Sequence, residues 1–140
     1  MRRSLLLSAA MLTGLTAAAV AQQPAAGIKL SDVAGVWDSK TMMGPKDSVV
    51  ITIVITATAD AKGWTMTNGK NVVPVRVVSS GGDSIVTEAG PYPSYLRPGA
   101  TVTLLRTVGH YKGNEMWGSF TATYATGDKI SGKVSAMRRK

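Results

Sequence analysis

The chain has 140 residues, with 16 Lys and Arg against 8 Asp and Glu, a formal charge of +8, one histidine and no cysteine. That inventory excludes a disulfide framework, a thiolate zinc site and a thiol nucleophile. Its length fits one small domain, which must be held together by its hydrophobic core alone.

Arg2 and Arg3 form a basic start, an uncharged apolar run extends from Leu5 to about Val20, and Ala19-Val20-Ala21 matches a small-x-small cleavage pattern. We read residues 1–21 as a signal peptide cut near Ala21, which makes the mature chain secreted or periplasmic. The apolar run is too short and too rich in alanine for a membrane span, so no transmembrane segment is expected in the mature chain. Removing Arg2 and Arg3 leaves 14 basic residues against 8 acidic, or +6. Such a charge favours solubility and weak attraction to anionic surfaces. Its carriers are scattered, except for Arg138-Arg139-Lys140 at the end.

Residues 22–32 read as a linker, with Leu30-Ser31-Asp32 as one turn, and residues 33–140 as a single antiparallel β domain. The first strand is expected from Val33 to Met43, followed by a turn at Gly44-Pro45-Lys46-Asp47. The chain then enters its most distinctive stretch, Ser48 to Ala59, which is β-branched and free of charge, glycine and proline. Such side chains suit a pleated, half-buried surface. Parity assigns Val49, Ile51, Ile53, Ile55 and Ala57 to a dry face and Val50, Thr52, Val54, Thr56 and Thr58 to a wetter one.

Asp60-Ala61-Lys62-Gly63 turns the chain into Trp64 to Thr67, and Asn68-Gly69 predicts a type I′ hairpin turn. Val72 to Ser79 is the next strand. Pro74 within it implies an edge, a bulge or an amide facing no partner. Ser80-Gly81-Gly82-Asp83 turns into Ser84 to Ala89. Gly90 to Gly99, with Pro91, Pro93 and Pro98, is the one long irregular segment. Strands follow at Thr101 to Gly109, Glu115 to Thr126 and Lys129 to Arg138, with turns at Tyr111-Lys112-Gly113-Asn114 and Gly127-Asp128. No segment after the leader has a helical period. About eight short-connected strands predict an all-β, up-and-down antiparallel meander that closes into a small barrel and so removes its edges. An open sheet and a two-sheet sandwich are the alternatives.

Gly35-Val36-Trp37 at the start of the first strand resembles the Gly-x-Trp motif of calycin barrels, the lipocalin and avidin group. The resemblance implies that Trp37 closes one barrel end and that Arg138, on the last strand, packs over its ring, with Gly35 beside them. The avidin pattern of biotin-binding tryptophans is not recognisable, and no lipocalin-type helix follows the last strand. The run Gly113-Asn114-Glu115-Met116-Trp117-Gly118-Ser119-Phe120, with Gly132 beyond it, is similar to uncharacterised secreted bacterial β-proteins, and carries no activity with it.

Little here supports catalysis. His110 is the only histidine, so a triad or a metal site would depend on it without companions of its kind. No Gly-x-Ser-x-Gly elbow or phosphate-binding glycine loop occurs. Asp47, Asp60, Asp83 and Asp128 fall in turns, where short side chains bond the backbone. Glu88, at a strand end, has no second carboxylate assigned to it. No catalytic residue, metal ligand or cofactor is expected, and basic residues meet aromatics too loosely to specify nucleic acid.

Tyr92, Tyr95 and Arg97 form the candidate ligand-binding set, because the proline-stiffened loop combines apolar faces, polar tips and a cation. Two readings follow. One is a binding module for a small apolar or amphipathic molecule held inside the barrel. The other is a non-catalytic structural or interaction domain attached to anionic cell-envelope components. Interior volume discriminates between them: a void of a few hundred Å3 or more supports a ligand site, and a solid core favours the structural reading.

Overall fold

Strand pairing starts at Gly35–Met43 (β1), which lies antiparallel to Ser48–Ala57 (β2). The computed structural model describes residues 27–140; the expected signal peptide and the first part of the linker lie outside the described residues. After β2 come Thr65–Asn68 (β3), Asn71–Gly81 (β4), Ser84–Ala89 (β5), the two-residue Tyr92–Pro93 (β6), Thr101–Lys112 (β7), Glu115–Tyr124 (β8) and Lys129–Arg138 (β9). Each long strand pairs antiparallel with its predecessor, β9 returns to β1, and β5 pairs with β7. Eight strands therefore close into an up-and-down barrel, and β6 is an extra strand on the margin of β7.

The β2 stretch shows how composition and register combine. Ile51, Ile53 and Ile55 face the barrel interior, and Thr52 is exposed on the other side. The expected dry face fails at its first member: Val49 is 52% exposed. Thr41 pairs with Ile51 and Met42 with Val49, so one extra residue bulges out of β2 at Val50 and breaks the alternation there. At the other end β2 stops at Ala57, not Ala59. Asp60 ends it by accepting hydrogen bonds from Thr58 Oγ1 (2.8 Å) and the Lys62 amide (3.1 Å).

Several further boundaries move: β3 and β4 are shifted or extended by one or two residues, β8 ends at Tyr124 and not Thr126, and β6 lies within the segment expected to be irregular. The hairpin expected at Asn68-Gly69 turns one residue later, at Gly69-Lys70, with Asn68 paired to Asn71. Gly69 has φ +58 and is the only central residue with positive φ, which is the type II′ pattern and not type I′. Asn68 stays in the strand, where its Nδ2 donates to the Thr52 carbonyl at 3.3 Å. The first strand begins at Gly35, because Leu30–Asp32 forms a 3-10 turn and Val33 packs beneath it at 1% exposure. β7 continues to Lys112, beyond the expected stop at Gly109, so His110 and Tyr111 are strand residues. Gly109 does not break the strand because it pairs with Gly118, where the two backbones approach closely. Pro74 lies where β4 passes from β3, its partner up to Pro74, to β5, its partner from Val75.

The sheet is unevenly filled. Trp37, Trp64, Ile85 and Val33 are all but fully buried. β3 covers β2 only from Val54 to Thr56, so among the described residues Ser48–Ile53 has a neighbouring strand on one side only. Ile51 and Ile53 are consequently half-buried, although they face inward. No described helix is long and apolar enough to cross a membrane.

Candidate functional site

One barrel end is closed by an interlocked group. The Trp37 indole Nε1–H donates to the Val33 carbonyl at 2.9 Å. The Arg138 guanidinium lies 4.8 Å above the Trp37 ring centre. It donates to three backbone carbonyls: Ala34 (3.1 Å), Asp32 (2.6 Å) and Gly113 (3.1 Å). A cation held over an indole face and bonded through its two terminal nitrogens to carbonyls ties the first turn, the β7–β8 hairpin and the last strand together, although its Nε is buried without a partner among the described residues. Gly35 lies against the Arg138 stem, where an added Cβ would touch Arg138 Cδ at 3.5 Å. Tyr111 meets Trp37 edge-on at 5.3 Å, and burial pushes its phenol up to about 12.

Above this plug lies an interior chamber of about 90 Å3. Its wall is mostly aliphatic and aromatic, from β2, β4, β5, β7 and β8, with Trp64 below and Tyr92, Tyr95 and Leu96 of the proline-rich loop on the opposite side. Parity places Ser39 and Thr41 on the same inward face as Trp37, and both are buried. Ser39 is 2% exposed, and its Oγ has no hydrogen-bond partner among the described residues. The Tyr95 hydroxyl is likewise buried without a partner. Buried hydroxyls are ordinarily satisfied, so two orphans on one chamber are informative.

The proline-rich loop splits the expected binding set. Tyr92 is 8% exposed and Tyr95 half-buried, with ring centres 5.3 Å apart, and both line the chamber. Burial drives the Tyr92 phenol far above its ordinary value and raises Tyr95 by the same cause. Both therefore remain neutral hydrogen-bond donors across the physiological range. Arg97 is the correction. It is not part of the chamber wall; its guanidinium stacks 4.6 Å from the Tyr124 ring centre and lies 3.8 Å from Asp128. The Tyr124 ring and the exposed Asp128 carboxylate hold the cation at the surface, where it keeps water that the chamber would strip from it. Ser94 anchors the same corner, with its Oγ 3.1 Å from the Tyr124 hydroxyl and accepting from the Leu96 and Arg97 amides.

The remaining candidates sit outside. His110 is on the outer face of β7, with Nδ1 3.0 Å from Asp83 Oδ1 and its ring stacked 6.0 Å from the Trp117 ring. That hydrogen bond holds the Asp83 carboxyl below its ordinary range. Glu88 pairs across strands with Arg106 at 2.8 Å. Among the described residues no three His, Cys, Asp or Glu side chains are grouped to hold a metal.

Sequence reasoning missed Ser39, Thr41 and Leu96. The signal for the first two was available: a serine and a threonine at inward parity, two and four residues beyond a closing tryptophan. No family model, curated protein or solved structure matches the chain.

Proposed function

We propose that the protein is an exported, non-catalytic, calycin-like barrel that binds one compact apolar or amphipathic molecule in its interior. The observation that supports this reading is the chamber of about 90 Å3, walled by apolar side chains between the Trp37–Arg138 plug and the Tyr92–Tyr95 loop. One water needs about 10–15 Å3 of comparable space, so the chamber has room for roughly six to nine non-hydrogen atoms. That is below the ~300–1,000 Å3 of drug-sized sites and points to a small ligand, or to one end of a longer molecule. The margin of β2 that has no second partner strand among the described residues, with half-buried Ile51 and Ile53, offers a way in.

Native mass spectrometry of protein purified from its source tests this. The expected spectrum shows a mature chain beginning at Gln22 with a small molecule that is released on denaturation. A bare chain, together with a panel of compact apolar compounds that leaves the melting temperature unmoved, would defeat the reading.

The chamber's modest size favours a second reading, a structural domain attached to anionic envelope components through exposed cations such as Lys40, Lys112 and Lys129. Salt-sensitive co-sedimentation with anionic vesicles, without any ligand uptake, is the result that would select it.

A further inference from the structure

Resting on the binding reading above, we infer that the chamber selects an uncharged ligand bearing a hydroxyl or carbonyl oxygen, anchored by Ser39 Oγ and the Tyr95 hydroxyl. The inference comes from what the chamber wall offers and what it lacks. Ser39 is almost fully buried, faces inward from β1 and has no partner among the described residues. Tyr95 reaches the same chamber from the loop with its hydroxyl equally unpartnered. Leaving a buried hydroxyl unpaired is costly, and a ligand oxygen removes that cost at both positions. A hydroxyl oxygen can accept from or donate to either group, and a carbonyl can accept from either.

Charge is excluded by the same inventory. Among the described residues no Lys, Arg or His borders the chamber; Arg97, on the same loop as Tyr95, is held outside on Tyr124. A carboxylate ligand would lose its water without gaining a counter-charge. The single acidic residue at the border, Glu88, is already paired with Arg106, so an amine finds no free carboxylate there. Most of the remaining wall, with Ile53, Ile55, Phe120 and Val134 among its members, offers hydrocarbon, and Thr41, Thr87 and Thr107 add hydroxyls but no charge.

The test uses three probes of similar shape: benzyl alcohol, ethylbenzene and benzoate. Their binding to the mature chain is followed by NMR of the isoleucine methyl groups. The wild-type protein is expected to bind the alcohol and the hydrocarbon but to take up benzoate at least tenfold more weakly than the alcohol. Ser39→Ala and Tyr95→Phe should each weaken benzyl alcohol about five- to tenfold, the value of one buried hydrogen bond. Both variants should leave ethylbenzene unchanged or tighter, and Ser39→Ala should melt no lower than wild type because it removes an unpaired polar group. If the alcohol and the hydrocarbon lose affinity equally, or not at all, the anchoring is wrong while interior binding stands. If benzoate binds as well as the alcohol, the selection against charge is wrong. If no probe perturbs the methyl groups of Ile51, Ile53 and Ile55, interior binding itself fails, and the anchoring fails with it.

Discussion

Replacing Trp37 with alanine should remove most of the stability of the fold. The side chain is 1% exposed, and truncating a buried tryptophan costs about 3–5 kcal/mol in transfer and cavity terms. Three specific losses push this case to the top of that range. The Val33 carbonyl loses its indole donor, worth about 1 kcal/mol. Arg138 loses the ring it stacks on, worth about 0.5–2 kcal/mol. Tyr111 loses its edge-to-face partner, worth about 0.5–1.5 kcal/mol. These overlap with the cavity term, so the expected total is about 5 kcal/mol, comparable to the whole stability of a marginal domain. With a urea slope of about 2 kcal/mol per molar, the midpoint should fall by roughly 2–3 M. Trp64 and Trp117 remain as fluorescent reporters of the transition. Trp37→Phe, which keeps a ring for Arg138 and Tyr111 but not the indole donor, should lose about 1–2 kcal/mol. A midpoint shift under about 0.5 M for the alanine variant, or equal costs for alanine and phenylalanine, would refute the plug as described.

Gly118→Ala should cost about 1–3 kcal/mol by thermal or urea unfolding, because a Cβ there would overlap the Val108 carbonyl where β7 and β8 lie closest. Gly69→Val should cost about 1–2 kcal/mol although nothing crowds the site, because φ +58 resists a β-branched side chain; an unchanged melting temperature would mean the hairpin turns elsewhere. The Asp60 carboxyl is held below its ordinary value of 3.8, chiefly by the Thr58 hydroxyl and then by the Lys62 amide. A depressed folded value stabilises above the unfolded pKa and is lost as pH falls through the folded one, so Asp60→Asn should lower stability at pH 7 and flatten its decline below about pH 4. Arg97→Ala should leave the affinity for a chamber-bound probe within about twofold while loosening the Tyr124 corner, because the guanidinium lies outside the chamber.

The fold class was legible because local rules agreed with one another. The β-branched run from Ser48, the glycine-marked turns and the absence of any helical period all point to sequential hairpins, and sequential hairpins pair with their neighbours. Ser84–Ala89 and Lys129–Arg138 have the same limits in the structure as in the sequence reading. Turn chemistry placed Gly44-Pro45-Lys46-Asp47 and Gly127-Asp128 between strands for the same local reason.

Tertiary structure decided what depends on partners far away in the chain. The bulge at Val50 turns Val49 to solvent, and it shows only in the register of β2 against β1. Tyr111 reads as a turn residue beside Lys112-Gly113, yet Trp37 gives its ring a partner 74 positions earlier, and the strand continues to meet it. Arg97 and Tyr95 are two residues apart in one loop with equal claims to a ligand. The positions of Tyr124 and Asp128 separate them, drawing the cation outward and leaving the phenol on the chamber. Ser39 is the sharpest case. Its parity with Trp37 could be read from the sequence, but whether an inward serine meets a partner depends on side chains contributed by other strands after closure. Alternation along a strand sets which way a side chain points; the closed barrel sets what it finds there.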